Sequence, residues 1–376
     1  MRNKNIGFDA SYWYSNQNRG IGNMTEQIVK NISQQKHLNI SLYSNHYDQE
    51  ISQYCDQHNL AYHVIPIPFL IYEQIVLPIL SRWHKIDLFH YFGNTGSVLL
   101  LPARISIITI CDTIFWERSV LGWVREKKFG NAYRSVIARI QKRLNYNFSF
   151  ISHYTKSCYL DSDKDTHINQ VIYISGGQDF SISQDKPFSE KYICAMGAKD
   201  PRKNTLLTIK AFIECKIFKN FGIELRIFGL EDPEKFIKDS DLENVYLVDN
   251  GVTISGFVND AQKEHILKYS RGFIYLSKSE GFGIPIVEAE KLGKMCLVSS
   301  TTSCGEIVSP YSYVVDPTND KAVRETLLKY SQLIFQNGVD NITRKKIIDH
   351  ANNFSWARSA HETVAFYTQL FNRTGS

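Results

Sequence analysis

Short apolar runs separated by amphipathic stretches recur along the whole chain, and their spacing predicts two successive parallel sheets. Residues 6–9, 38–43, 62–67, 87–92, 105–110, 148–152 and 171–174 each have the length and the β-branched or aromatic content of a buried strand. A second series follows at 192–196, 224–228, 252–255, 273–276, 295–299 and 313–315. Between them lie helical patterns, including one starting near Asn23 after a long loop at 10–22, and others over 205–219, 261–269, 321–335, 343–352 and 356–370. Strands alternating with helices point to an α/β fold of two Rossmann-like, doubly wound domains that face each other across a central cleft. The polar run 175–190 has linker composition, which divides the chain into 1–182 and 183–356.

One stretch, 272–306, shows the unit most plainly. An apolar run ends in the polar turn 277–283, Pro285 stands at a helix start, and a second apolar run closes the unit. Amides of Gly281, Phe282 and Gly283 at that helix start would face an anion, and Glu280 and Glu288 flank the turn. Either acid, taken alone, fits an ordinary helix-start or solvated position equally well. A matching turn upstream, GAKDPRKN at 197–204, puts Arg202 and Lys203 between a strand and a helix. A guanidinium fork beside a point-charge ammonium suits a diphosphate, although a plain charged turn has the same composition.

Composition narrows the choice of function. A chain of 376 residues suits two domains, and 43% apolar with 22% charged residues is that of a globular protein. A net charge of +5 gives no support for nucleic-acid binding. Seven scattered cysteines without a CxxC pair argue for reduced thiols in a cytoplasmic protein, not for a disulfide framework or a zinc site. The first ten residues lack an apolar segment of signal-peptide length, and the apolar window 64–80 is broken by prolines and Glu73-Gln74. The most basic segment, 118–143, pairs an apolar stripe with eight Lys or Arg residues against Glu126. It is either a solvated helix face or a peripheral contact with anionic lipid at the inner face of the plasma membrane, or with a diphosphate-bearing acceptor.

Taken together, GAKDPRKN, SGFVND at 255–260 and SEGFGIPIVEAEKLG at 279–293 closely resemble the sugar-donor domain of family-four glycosyltransferases of the GT-B fold. That family's two glutamates, with seven residues between them, match Glu280 and Glu288. The first half resembles the family more thinly, through GFDAS, RGIGN, YEQIVLP, DLFHYFGN and ISHYTK. FSWARSA at 354–360 resembles the family's closing helix, which implies that 357–376 packs back onto the first domain.

The resemblance implies a retaining, metal-independent enzyme with no cofactor. It would move a hexose from a nucleotide-diphosphate sugar, GDP-mannose first among candidates, to a glycan or polyprenyl-diphosphate-linked acceptor in O-antigen or capsule-type polysaccharide synthesis. Arg202 and Lys203 would hold the diphosphate and Glu288 the ribose. Glu280 would lie beside the transferred sugar, with Gly281, Phe282, Gly283 and Ile284 near its hydroxyls and the phosphate. Gly256, Phe257 and Val258 would meet the base. Two other activities remain open: a synthase acting on a small soluble acceptor, and a non-catalytic sugar-nucleotide-binding subunit. A nicotinamide dehydrogenase fits worse, because Gly20 lies beyond a long loop and Thr25 occupies its third glycine position.

On the acceptor side, Gly20, Ile21 and Gly22 would bring a loop close to the phosphate or the acceptor, or form a plain turn. His90 would bind hydroxyls or serve as a structural histidine. Many relatives carry a histidine before an aspartate where this chain has Cys111-Asp112. A thiol cannot replace an imidazole as hydrogen-bond donor or base, so acceptor chemistry would rest on Asp112 or His90.

Overall fold

A computed structural model of the chain describes residues 3–13, 20–35, 37–116, 128–160, 168–176, 190–336 and 338–374. It divides into two compact units, Met1–Ile174 with Ser355–Ser376, and Ser175–Phe354. The sequence-derived boundary at 182/183 and residues 118–127 of the basic segment lie outside the described residues.

Unit 1 is a seven-stranded, all-parallel sheet. Its strands are β1 (Lys4–Asp9), β2 (Leu38–Ser44), β3 (Ala61–Val64), β4 (Leu88–Tyr91), β5 (Ile105–Ile110), β6 (Asn147–Phe150) and β7 (Asn169–Val171), in the order β3-β2-β1-β4-β5-β6-β7. β3 stops at Val64, short of the expected 67, because the prolines at 66 and 68 cannot donate to a ladder. Alternation splits β4 between two layers. Phe89 and Tyr91 join an aromatic core with Tyr43, Phe148 and Phe150, whereas His90 points to the opposite face. That face is covered by the helix Trp356–Thr374, which buries Trp356, Ser359, Ala360, Thr363, Phe366, Tyr367, Leu370 and Phe371 at three- and four-residue intervals.

Unit 2 has six parallel strands, β8 (Tyr192–Met196), β9 (Glu224–Phe228), β10 (Val252–Ile254), β11 (Phe273–Tyr275), β12 (Cys296–Ser299) and β13 (Tyr313–Val315), in the order β10-β9-β8-β11-β12-β13. Ile193, Ala195, Leu225, Ile227 and Ile274 pack in one layer, and Tyr192, Cys194, Phe273, Tyr275 and Cys296 in the other. Burial on both faces explains strands that read as unbroken apolar runs. The helix expected over 205–219 is two, Thr205–Glu214 and Ile217–Phe221, because Lys216 is left-handed at φ 52°. Two short helices with no expected counterpart, Pro233–Asp239 and Asn244–Asp249, fill the crossover from β9 to β10. Each sheet reverses its strand order once, at β1/β4 and at β8/β11, and ligands of open α/β sheets bind beyond the carboxyl ends of strands at such points.

Candidate functional site

In unit 2 the loops after β8 and β11 are neighbours because their strands pair. They are also tied directly: the Lys278 amide donates to the Arg202 carbonyl at 2.7 Å, and Ser277 Oγ donates to the same oxygen at 3.1 Å. A 3-10 turn, Pro201–Lys203, presents both cations. Asp200 caps it by accepting from the Arg202 amide at 2.9 Å.

Lys203 and Glu280 meet across the two loops, Nζ to Oε1 at 2.6 Å. The Tyr275 hydroxyl, at the end of β11, donates to the same carboxylate oxygen at 2.8 Å and lies 2.6 Å from Lys203 Nζ. Burial pushes Glu280 up, but the Lys203 charge and hydrogen bonds from Lys203, Ser277 and Tyr275 outweigh it and hold the carboxyl below its usual range. Burial raises the Tyr275 phenol well above its ordinary value, so it stays a neutral hydrogen-bond donor. Arg202 grips Asp200 through Nε at 2.8 Å and a second guanidinium nitrogen. Its side chain keeps 21% exposure, and that of Lys203 23%. Both ends of the diphosphate-type pair are therefore reachable and each now rests on an internal carboxylate.

Gly283 caps the helix Ile284–Lys291 at φ +115°, a conformation closed to most side chains, and Pro285 follows at its second position rather than its first. Gly281, Phe282 and Gly283 are buried ahead of it, with Phe282 edge-on to Phe354, and Ile284 is half-buried. Glu288 is almost fully buried one turn in. Its Oε1 accepts from Lys263 Nζ at 2.7 Å, and Lys263 also meets Asp260 at 3.3 Å. Burial lowers Lys263, but Glu288 and Asp260 outweigh it and leave the ammonium raised. Gly256 and Val258 line the turn after β10, and Phe257 there is exposed. A cleft of about 800 Å³ opens at the same sheet edge, lined among others by Lys199, Glu231, Asp232, Asn244 and Ile254.

The corresponding edge of unit 1 is built differently. Asp9 ends β1 and accepts from the Ser11 amide at 3.0 Å, the Ser11 hydroxyl at 2.6 Å and the Tyr72 hydroxyl at 3.3 Å. Burial nevertheless raises its carboxyl. Glu73 is fully buried on a π turn, Tyr72–Val76, between the helical turns Phe69–Ile71 and Leu77–Trp83. Thr95 Oγ1 at 2.7 Å, Gln74 Nε2 at 2.8 Å and the Tyr133 hydroxyl donate to it, and burial pushes it up to about 7. None of Asp9, Ser11, Tyr72, Glu73, Thr95 or Tyr133 stood among the expected site residues. The signal available was an acid-amide pair inside an apolar stretch.

His90 gives a correction. Its Nδ1 bonds the Tyr367 hydroxyl at 2.6 Å and its Nε2 bonds Thr109 Oγ1 at 2.7 Å, inside the core. Burial lowers it to about 3, so it is a neutral structural histidine whose two ring nitrogens are taken by hydroxyls of unit 1 itself. The Cys111 thiol is buried against the Phe92 carbonyl at 3.4 Å, and burial raises it well above its ordinary value. Asn94 Oδ1 accepts from the amides of both Cys111 and Asp112, while Asp112 Oδ1 accepts from the Ile114 amide at 3.3 Å. Gly20 is exposed at φ +44° and starts the helix Ile21–Ile32, with Ile21 half-buried and Gly22 buried.

Residues 178–351 match the family described as Glycosyl transferases group 1. O-antigen chain mannosyltransferase B of Escherichia coli is 27% identical over 184 residues, 48% of this chain and 46% of that protein. The chain thus spans under half the length of that relative. O-antigen chain mannosyltransferase RfbU of Salmonella typhimurium is 24% identical over 293 residues, 73% of this chain and 78% of that protein. Among solved structures, Alr3699/HepE of Anabaena in complex with UDP superposes with a TM-score of 0.68 at 14% identity, covering 97% of this chain and 100% of that one. That is a likeness of fold, and the fold is GT-B.

Proposed function

We propose that this chain, whose residues 178–351 match the group 1 glycosyl transferases, transfers a hexose from a nucleotide-diphosphate sugar to a hydroxyl of a glycan acceptor. GDP-mannose is the preferred donor, because the curated relatives cited above are named mannosyltransferases. Their names also favour a lipid-linked O-antigen-type acceptor, with peripheral contact to an anionic membrane through the basic segment 118–143.

The contact that carries this proposal is Lys203–Glu280–Tyr275 at the strand-order reversal of unit 2. An ammonium and a guanidinium already held in place by Glu280 and Asp200 keep further N–H donors that a diphosphate can accept from. The bond from the anomeric carbon to the diphosphate oxygen breaks, and the acceptor oxygen bonds to that carbon on the same face, retaining its configuration. The acceptor proton passes to the departing diphosphate. Lys203, Arg202 and the amides before Ile284 would stabilise the charge that develops there, with no metal required. Glu280 would hold the sugar. Glu288, paired with Lys263, would orient the ribose. The 800 Å³ cleft has room for the nucleoside. In unit 1, Asp9 and Asp112 would meet the acceptor.

Incubation with sugar nucleotides and an oligosaccharide acceptor in chelator tests the proposal. Mannoside formation from GDP-mannose with retained anomeric configuration is expected, together with a thermal shift of the free protein by GDP. A metal requirement, an inverted product or no shift with any nucleoside diphosphate would sink it.

A further inference from the structure

Unit 1 carries an apolar row that its own fold does not cover. Ile71, Ile75, Ile79 and Trp83 recur every fourth residue through Phe69–Ile71, the π turn and Leu77–Trp83, and each is between 46% and 77% exposed. A four-residue spacing drifts by about 40° per step in an α-helix, and the wider π turn works against that drift. The same turn sends Tyr72, Glu73 and Gln74 inward, so the one acid between residues 60 and 86 is buried.

The neighbourhood extends the row. Gln74 holds the loop bearing exposed Leu99, accepting from the Val98 amide at 2.8 Å, and Arg82 Nε donates to the Leu101 carbonyl at 2.7 Å. The helix Lys128–Gln141 is tied to the same turn through Tyr133, whose hydroxyl accepts from Gln74 Nε2 at 2.8 Å. Its exposed positions include Val136, Arg139 and Ile140, with Arg143 beyond its end, and residues 127–160 contain no acid. Arg82 and Lys85 stand exposed at the Trp83 end of the row.

We infer that this row docks onto an anionic lipid bilayer, with Trp83 at headgroup level and the cations of Arg82 and Lys85 against lipid phosphates. An apolar row on an isolated monomer marks an interaction surface. The lack of exposed acids within 60–86 and 127–160, the flanking bases and the terminal tryptophan select a bilayer over an apolar protein groove. No helix among the described residues is long and apolar enough to cross a membrane, so the docking is interfacial. The row gives the membrane contact proposed above named residues of unit 1, and its docking rests on that part of the reading, not on the sugar-transfer chemistry.

The test is cosedimentation of the full chain, without donor or acceptor, with phosphatidylcholine vesicles that do or do not contain phosphatidylglycerol. Wild type should bind the anionic vesicles and release at high salt. Ile79→Ser/Trp83→Ser should weaken binding at least about tenfold, since two apolar side chains no longer enter the interface. Its melting temperature and its thermal shift with GDP should stay as in wild type, which separates lost docking from lost fold. Unchanged vesicle binding by that variant overturns the inference. So does a lipid-free dimer that the same substitutions dissociate, because the row would then be covered by a second copy.

Discussion

The carboxyl edges of the two sheets solve the same topological problem with opposite chemistry. In unit 2 the acids beyond the strands are matched by cations: Lys203 on Glu280, Lys263 on Glu288, Arg202 on Asp200. In unit 1, hydroxyls and two amides hold Asp9 and Glu73, through Ser11, Tyr72, Thr95, Gln74 and Tyr133. An edge lined with exchangeable ion pairs suits a ligand that brings its own charge. An edge lined with neutral donors around a carboxyl suits one that brings hydroxyls. The pKa directions follow. Glu280 is held low although buried, while burial raises Asp9 and Glu73.

The sharpest way to break this contrast is Lys203→Ala. It strips the cation from Glu280 and from any bound diphosphate together, so turnover should fall at least about a hundredfold and nucleoside-diphosphate affinity should drop in calorimetry. Asp9→Asn should leave that affinity unchanged; equal loss in both variants would erase the distinction between the edges.

Proton linkage separates the units next. Glu73 and Glu290, the latter accepting from the Ser309 amide at 2.9 Å, have carboxyls raised from 4.5 to about 7. Folded protein therefore binds their protons more tightly than unfolded chain, and stability falls as pH rises from 4.5 to 7, by up to roughly 3 kcal/mol per group. Burial lowers Lys294 from 10.5 to about 7 although its Nζ donates to the Lys268 and Ser270 carbonyls. The unfolded chain then holds the extra proton, so this lysine adds stability as pH rises from 7 to 10.5. Scanning calorimetry should show unit 2 recovering in alkali and unit 1 not recovering. Glu73→Gln should flatten the acid-side slope of unit 1 alone.

Gly283→Ala should cost about 1–2 kcal/mol, since φ +115° strains a Cβ and Ile286 Cδ1 would lie 3.0 Å away. The smallest effect is expected at Cys111→Ser. A buried, protonated thiol takes no part in proton transfer, so kcat should change less than about threefold and the pH profile not at all.

The central strands were legible as apolar runs, because both faces of a parallel sheet are buried there. The edge strand β7, Asn169–Val171, is by contrast half-buried and meets the expected 171–174 only at Val171. Arg202, Lys203, Glu280 and Glu288 were legible because polar residues stood directly after such runs. The partners that give them meaning were not. Tyr275 falls in an apolar strand run and Lys263 in a helical stretch, and nothing in either pattern points to the acids they meet in the fold. The helices Pro233–Asp239 and Asn244–Asp249 escaped notice although Asp232-Pro233 is a capped start. They are short, and Val245 and Val248 face outward, which removes the amphipathic period. His90 could not be assigned from its strand-end position because its fate depends on Tyr367, 277 residues away.

That distance has a consequence for how the chain comes off the ribosome. Unit 2 is complete once Phe354 has emerged, whereas unit 1 began to emerge first and still lacks the helix Trp356–Thr374. Until then the His90 side of its sheet has no cover from Tyr367, Phe366 or Phe371. A stop codon near the start of that helix would therefore leave the earlier-made sheet of unit 1 uncovered to chaperones and proteases while every residue of unit 2 is already present.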